Sequence, residues 1–251
     1  MQGLRRTGCT GLVDANINYV IQPMYYYLGD VAANGLLRCR VSSSGKYGYV
    51  NTKGEKVIDY QFDEAKTFYD GVAAVKIGNA WGLINSSGNF IVAPKYAALY
   101  YAGSNRYVFA SEISSSSSYS RLYGLMDASG KEVVPAMYKY INGDEDDTSG
   151  RFTATNANGK CGFIDGNGNE IVDFVYNSVG KFLNGYGSVY AENGVGQIIN
   201  TSGQPVLTLE KGETVEEGNH NGLIGIHKYD NGQSTYKYIN LEGKTVYMWV
   251  Q

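Results

Sequence analysis

The sequence predicts an all-β protein made of seven copies of one antiparallel meander, and three observations support this. Helical spacing of apolar residues is not sustained anywhere along the chain. A turn motif recurs every 34 to 42 residues, with short apolar runs on both sides. The 251 residues include 33 glycines and 23 tyrosines, a composition that suits turns and half-exposed strands better than helices.

The clearest copy of the motif runs from Trp81 to Tyr96 and is predicted to form a β-hairpin. Its first strand ends at Asn85, whose side chain can bond its own backbone across the turn. Gly88 can adopt the positive φ that such a turn needs, and the apolar second strand follows directly.

Seven such hairpins align on one turn position, which is glycine in every copy except the first. That position is held by Ile17, Gly54, Gly88, Gly130, Gly168, Gly203 and Gly243. The predicted hairpins lie near 11–25, 47–62, 81–96, 123–138, 161–176, 196–209 and 236–250, within a single domain covering 1–251. A repeat that covers nearly the whole chain decides the fold class.

Other positions keep the same register. Asp or Asn stands three residues before the turn position in every copy, and an apolar pair stands three and four residues after it. Eight residues after it lies an aromatic residue in five copies: Tyr25, Phe62, Tyr96, Tyr138 and Tyr176. We expect these rings to fill the core.

A glycine lies six residues before the turn position in five copies: Gly11, Gly48, Gly82, Gly124 and Gly162. Glycine weakens a strand, so its recurrence at this position needs an explanation. We expect that a neighbouring sheet approaches too closely there for a side chain. The sixth and seventh copies have Gln197 and Lys237 instead, so the late copies are degenerate.

A third strand precedes six of the hairpins, at 36–41, 72–76, 107–111, 152–156, 187–191 and 223–228, and segments such as 63–68 suggest a short extra edge. Apolar residues on both faces of the strands indicate that each meander is covered on both sides. Stacked meanders can close into a β-propeller-like ring or continue as an open twisted array. The ring is favoured because it hides the two apolar end faces.

The recurring core of Trp or Tyr, Gly, an apolar residue, Asn or Asp, and the turn Gly resembles the bacterial WG (KWG) repeat family. Trp81–Gly82 is the intact pair, and Tyr47–Gly48, Tyr123–Gly124 and Cys161–Gly162 are relaxed versions. The resemblance implies non-catalytic β modules in secreted or surface-associated proteins. We therefore expect an extracytoplasmic location (secreted, periplasmic or cell surface), although residues 1–6 lack the apolar core of a signal peptide.

Composition and motifs argue against several classes of function. The net charge of −3 gives no basic footprint for nucleic acid, and no apolar run reaches the length of a membrane span. The 165–170 segment resembles a calcium loop but is in register with the other turns, and 144–147 is interpreted as a solvated acidic loop. His220, His227 and Cys161 are expected to be structural, and Cys9 and Cys39 are left open as free or bridged. We therefore predict no catalytic residues, no metal and no cofactor.

Surplus tyrosines are the predicted binding residues: Tyr26, Tyr27, Tyr100, Tyr101 and Tyr140. They lie just beyond the repeat pattern, and an exposed tyrosine offers apolar area with a polar tip that suits protein or sugar contacts. The alternative is that they fill gaps between units. The predicted function is a non-enzymatic module that binds a protein partner; the alternatives are glycan binding and, less favoured, a hydrolase or lyase in a propeller frame.

Overall fold

The computed structural model of the chain describes residues 5–6, 8–112, 121–145 and 148–251, and the regular elements in these ranges are all β-strands. The strands are β1 (Arg5–Arg6), β2 (Cys9–Val13), β3 (Tyr19–Tyr25), β4 (Tyr27–Leu28), β5 (Leu36–Arg40), β6 (Tyr47–Asn51), β7 (Lys56–Phe62), β8 (Glu64–Ala65), β9 (Val72–Ile77), β10 (Ala80–Asn85), β11 (Phe90–Tyr101), β12 (Arg106–Glu112) and β13 (Tyr123–Asp127). They continue with β14 (Glu132–Tyr138), β15 (Tyr140–Asn142), β16 (Arg151–Thr155), β17 (Cys161–Asp165), β18 (Glu170–Tyr176), β19 (Ser178–Leu183), β20 (Tyr186–Tyr190), β21 (Gly196–Asn200), β22 (Pro205–Thr208), β23 (Glu213–His220), β24 (Leu223–Asp230), β25 (Gln233–Asn240) and β26 (Thr245–Val250). The all-β prediction is confirmed.

The strands form meanders in which consecutive strands are neighbours. Four sheets have four strands each, in the orders β4–β5–β6–β7, β15–β16–β17–β18, β19–β20–β21–β22 and β23–β24–β25–β26. The first copy forms the sheet β1–β2–β3, and the third and fourth copies share one sheet, β8 to β14 in chain order. The seven hairpins and the six preceding strands lie where they are predicted. The suggested extra edge is β8, and it makes the full unit four-stranded.

The chain divides into two compact units. The first consists of Met1–Tyr101, Phe109–Ser117 and Met126–Lys131, and the second of Ala102–Val108, Ser118–Leu125 and Glu132–Gln251. Each unit has its own core, and the surfaces described below each lie within one unit.

All seven turns use the same local chemistry. In the third copy the Asn85 side-chain oxygen accepts hydrogen bonds from the backbone N–H groups of Ser87 and Asn89, at 3.0 Å each. The same pair of bonds forms at Asp14, Asn51, Asp127, Asp165, Asn200 and Asn240. The turn position has positive φ in every copy, including 67° at Ile17, where the other copies have glycine.

The reason predicted for the strand glycines is wrong. A side chain at Gly162 would meet the carbonyl oxygens of Val172 and Asp173, at 2.5 and 3.1 Å, and both belong to the partner strand of the same hairpin, not to a neighbouring sheet. That strand folds over the glycine because Cys161 pairs with Tyr176 while Phe163 pairs with Val172, so three residues of β18 lie opposite one of β17. This is a β-bulge.

The bulge follows the glycine from copy to copy. The first, second, third and fifth copies have the glycine and the same register shift. At Gln197 and Lys237 the ladder runs without a shift to the next pair, Ile198–Leu207 and Tyr238–Tyr247. The degenerate copies are therefore those in which the two strands pair regularly at this level.

Neighbouring copies pack face to face through the turn glycines. A side chain at Gly88 would lie 3.1 Å from Ile58, which stands four residues after the turn position of the previous copy. The same relation joins Gly54 to Ile21 and Gly168 to Val134. Buried clusters span adjacent copies, as where Tyr49 and Phe62 pack with Val75 and Ile84. Of the predicted core rings, Tyr25, Phe62, Tyr96 and Tyr138 are buried and Tyr176 is partly buried.

Two further features concern function. Cys9, Cys39 and Cys161 are free thiols, and Cys39 is fully buried. Within the ranges that the structure describes, there is no helix that could cross a membrane.

Candidate functional site

The five predicted tyrosines lie at three separate places in the structure. Tyr26 and Tyr27 follow β3 and belong to one cluster with Tyr47. Tyr101 is partly buried at the end of β11, next to the partly buried Tyr100, and its ring stacks on Tyr69 at 4.2 Å. Tyr140 is 47% exposed and packs edge-on against Tyr123 at 6.2 Å. The structure thus brings only Tyr26 and Tyr27 together in a larger cluster.

The cluster around Tyr26 and Tyr27 contains two arginines, and we name it the Tyr–Arg cluster: Tyr26, Tyr27, Arg38, Arg40 and Tyr47. The Arg40 guanidinium lies 5.0 Å from the Tyr26 ring centre and 4.9 Å from that of Tyr47. Arg38 lies 4.8 Å from the Tyr27 ring centre and 5.8 Å from that of Tyr47. The cluster forms because Arg38 and Arg40 are two residues apart on β5, so both side chains point to the same face of their sheet.

Hydrogen bonds fix both guanidinium groups. Arg38 donates to the Ala65 carbonyl and to the Tyr27 hydroxyl, while Arg40 donates to the Ser43 carbonyl at 2.9 Å. The Nε atoms of both arginines are buried and have no hydrogen-bond acceptor. Within the described part of the chain, neither arginine has a carboxylate within ion-pair distance. The cluster therefore carries two positive charges and no compensating negative charge.

The cluster is one instance of a recurring position. In the second, third, fifth, sixth and seventh copies, the residue seven before the turn position lies against a residue of the preceding strand, which in turn has a cross-strand partner on the strand before that. We call these three residues the register row. Residues directly opposite one another point to the same face of a sheet, so each row is a short patch on one face.

The register row has a different chemistry in each of these five copies. It is Tyr27, Arg40 and Tyr47 in the second copy and Glu64, Lys76 and Trp81 in the third. The later rows are Tyr140, Thr155 and Cys161; Ser178, Tyr190 and Gly196; and Thr214, His227 and Tyr236. In the third copy the Lys76 ammonium lies 2.7 Å from Glu64 and 5.7 Å from the Trp81 ring centre.

The seventh row continues into an aromatic stack. The His227 ring stacks on Tyr236 at 4.6 Å, and Tyr236 stacks on Trp249 of β26 at 5.1 Å. Trp249 is 38% exposed, and a cavity of about 140 Å³ beside the stack is lined by Glu216, Tyr236 and Trp249 among others. Glu216 also lies 3.8 Å from His227. Trp249 pairs with Tyr236 because no bulge lies between β25 and β26 at this level, and β26 is exposed along its whole length.

Two glutamates share another cavity of the same sheet, of about 380 Å³. Glu213 is buried and pairs with Lys237 at 2.6 Å, and Glu210 pairs with Lys228 at 3.3 Å. Each carboxylate is neutralised by its own lysine.

The other segments considered from sequence have structural surroundings. The Asp165 carboxylate accepts bonds from the Asn167 and Asn169 backbone and from the Asn169 side chain. Burial raises the pKa of Asp165, but these hydrogen bonds outweigh it and leave the pKa below 3.8. Asp144 pairs with Lys181, while Asp146, Asp147 and the serine run 114–118 lie outside the described residues, as does the His220 side chain. No three potential metal-ligating side chains come together within the described ranges.

Sequence reasoning missed Arg38, Arg40 and the stack of His227, Tyr236 and Trp249. The repeat register contained part of the signal, since Tyr47 and Tyr236 both stand seven residues before their turn positions. The missing part was the pairing of these residues with preceding strands, which depends on the lengths of the connections.

Comparisons with known proteins bear on both fold and family. A family model described as "WG containing repeat" matches residues 47–79, 81–106, 123–161 and 162–194, which together make up more than half of the chain. The chain is similar in structure to the β-propeller BamB from Moraxella catarrhalis, with 9% identity, a TM-score of 0.50, and coverage of 100% of this chain and 87% of that one. It is likewise similar to Kluyveromyces lactis Hsv2p, with 9% identity, a TM-score of 0.51, and coverage of 99% and 92%. No curated protein matches the sequence. At this identity the likeness shows the fold alone, and it confirms the propeller-like class.

Proposed function

This chain belongs to the WG-containing repeat family, and from that premise we propose that it is a non-enzymatic scaffold that binds a protein partner. One observation carries the proposal: a uniform frame presents a register row whose residues differ among the five copies in which the row is formed. Turn chemistry and turn packing are repeated from copy to copy, whereas the rows carry cations, an anion, hydroxyls or stacked rings. A rigid frame with variable side chains at fixed positions suits recognition of a surface.

The row residues have the properties of binding residues. Tyr, Trp and Arg contribute most often to binding hot spots because they combine apolar area with hydrogen-bonding groups. Tyr27, Arg40, Tyr47 and Tyr236 are each partly exposed, so a partner can reach them, and Tyr140 is more exposed still. We assign binding to these rows in preference to Tyr100 and Tyr101.

A capture experiment tests the proposal. The full chain is immobilised as wild type, as the row double variant Tyr27→Ser, Tyr47→Ser, and as the turn variant Lys53→Gln. Proteins retained from an extract of the source cells are compared, and each candidate is purified and its affinity measured. We expect one purified protein to bind wild type and the turn variant equally and the row variant at least tenfold more weakly. Equal binding to all three, or no retained protein, would refute the assignment.

A second candidate function, glycan binding, is favoured by the stack of His227, Tyr236 and Trp249. A partly exposed indole can cover the apolar face of a sugar ring, and Glu216 and His227 supply polar groups beside it. A glycan array with wild type and Trp249→Ala separates the candidates. Signals that Trp249→Ala abolishes would favour glycan binding, whereas an array without signals beside a retained protein would favour the scaffold.

The location remains part of the proposal. We place the protein outside the cytoplasm, an inference that rests on the family resemblance alone. Cell fractionation with an antibody against the chain tests it, and recovery in the cytoplasmic fraction would contradict it.

A further inference from the structure

The Tyr–Arg cluster lacks the carboxylate that the equivalent position of the next copy supplies. Glu64 in β8 pairs with Lys76, and Tyr27 in β4 pairs with Arg40 at the same register. In the third copy the row is therefore acid, cation and aromatic ring. In the second it is ring, cation and ring, so the cation has no negative partner in its own sheet.

The three acidic residues of β7, β8 and the link between them are already engaged. Asp63 pairs with Lys46 and also accepts a bond from the Gly78 backbone, and Glu64 pairs with Lys76. Asp59 pairs with Lys56 within β7. If one of these carboxylates moved to Arg38 or Arg40, the lysine with which it now pairs would lose its partner.

Arg40 has the donors that a carboxylate would use. Its one hydrogen bond runs from Nη1 to Ser43, and its Nε has no acceptor, so the Nε and Nη2 side of the group is unused. A carboxylate matches that side with two parallel hydrogen bonds. The rings of Tyr26 and Tyr47 flank the guanidinium and lower the local dielectric, which strengthens a charge pair formed there.

Arg38 contributes positive charge to the site but few free hydrogen-bond donors. Both of its Nη groups already donate, to Ala65 and to Tyr27, so it holds the cluster in shape and contributes a second positive charge. A phosphate group can also accept two parallel bonds from a guanidinium, but its third oxygen would have no free donor in this cluster. The one unused two-donor side favours a planar two-oxygen acceptor.

We infer that the Tyr–Arg cluster is a binding site for a carboxylate side chain of an acidic protein segment, which binds the Nε and Nη2 side of Arg40 and supplies the negative charge that Glu64 supplies in the next copy. This inference rests on the proposed function, since it names the chemistry of the partner. The half-exposed Tyr26 is the ring that moves to admit the ligand, because it is the most exposed member of the cluster.

The test uses the full chain and short fluorescein-labelled peptides: one rich in glutamate, its Gln-for-Glu counterpart, and a phosphoserine version. Binding is measured by fluorescence anisotropy for wild type, Arg40→Gln, Arg40→Lys and Lys53→Gln. Lys53→Gln is the matched control because it removes the same charge from an exposed turn of the same unit. Near-ultraviolet circular dichroism of each variant reports whether the fold is kept.

For wild type we expect the glutamate peptide to bind at least tenfold more tightly than its glutamine counterpart and more tightly than the phosphoserine peptide. A charge-assisted hydrogen bond lost at Arg40 corresponds to about tenfold or more in affinity. Arg40→Gln should lose that factor, Arg40→Lys should lose part of it, and Lys53→Gln should keep it.

Three results would overturn the inference: equal binding of the glutamate and glutamine peptides, tighter binding of the phosphoserine peptide, or equal losses in Arg40→Gln and Lys53→Gln. The peptide comparison on wild type decides the matter even if Arg40→Gln fails to fold. Failure here leaves the proposed function standing if the row double variant still loses its purified partner. If wild type shows no preference for the glutamate peptide and the row double variant keeps its purified partner, the inference and the proposed function are both refuted.

Discussion

Replacing Gly162 by alanine tests whether the bulge, and not the packing of a neighbouring sheet, requires a glycine in each strand. The φ of Gly162 is not in the left-handed region, so alanine meets no backbone strain there. The added Cβ would stand 2.5 Å from the Val172 carbonyl oxygen and 3.1 Å from that of Asp173. Both contacts are with backbone, which cannot move aside as a flexible side chain can.

The expected loss follows from these contacts. Inserting a methyl group where the surroundings must shift costs about 1–3 kcal/mol. Alanine also restricts the unfolded chain, which offsets about 0.4–1 kcal/mol of that cost. A net loss of about 1–2 kcal/mol would lower the Tm of a chain of this size by about 2–8 °C.

The matched control is Gln197→Ala, at the same repeat position in the next copy. The ladder there has no bulge, so a Cβ is already accommodated and we expect little change in stability. Both variants are followed by thermal unfolding and by denaturant unfolding with fluorescence. If Gly162→Ala melts within 1 °C or so of Gln197→Ala, about the shift expected for a few tenths of a kcal/mol, the steric argument fails.

Three further predictions concern other repeat positions. Ile17→Gly should raise the stability by about 0.5–1 kcal/mol in thermal unfolding, because an exposed β-branched residue at φ 67° is strained and glycine is not; an unchanged or lower Tm would contradict this. The hydrogen bond from the Asn18 backbone N–H is the main cause that lowers the pKa of Asp14 below 3.8. The charged Asp14 therefore stabilises the fold above pH 3.8, and this stabilisation is lost as the pH falls through the pKa of the folded state. Melting curves at several pH values should show this loss of stability in wild type and not in Asp14→Asn. Burial raises the pKa of Cys39 to about 11, so at pH 8 we expect a thiol reagent to modify Cys9 and Cys161 quickly and Cys39 only on unfolding, and rapid labelling of Cys39 would refute its burial.

The turns and hairpins could be predicted because their causes are local. An Asn or Asp such as Asn85 bonds the backbone two and four residues later, and the turn glycine takes positive φ, so the motif itself contains the information. The buried rings followed from the same register. Local chemistry repeated seven times is sufficient to fix strand order in a meander.

The bulge and the Tyr–Arg cluster could not be predicted because their causes are pairings between segments. Nothing in the sequence next to Gly162 indicates that three residues of β18 will lie opposite it. The constant spacing of four residues from Val172 to Tyr176, which recurs in the other bulged copies, is the one sequence sign of the bulge. Likewise, Tyr27, Arg40 and Tyr47 become neighbours only once the connection between β4 and β5 has set their register. The predicted tyrosine site therefore included Tyr26 and Tyr27 but missed the arginines beside them.

The bulge also explains why the seventh copy presents a different surface. With the bulge, the residue paired to the first strand is the one eight after the turn position, as Tyr96 pairs with Trp81. Without it, the residue six after the turn position takes that place, so Trp249 pairs with Tyr236. The two registers differ by two residues, so the same face of the strand stays inward. Loss of the glycine therefore changes which residue of the second strand joins the row without disturbing the sheet. That residue is the buried Leu209 in the sixth copy and the exposed Trp249 in the seventh, where β26 is exposed along its whole length.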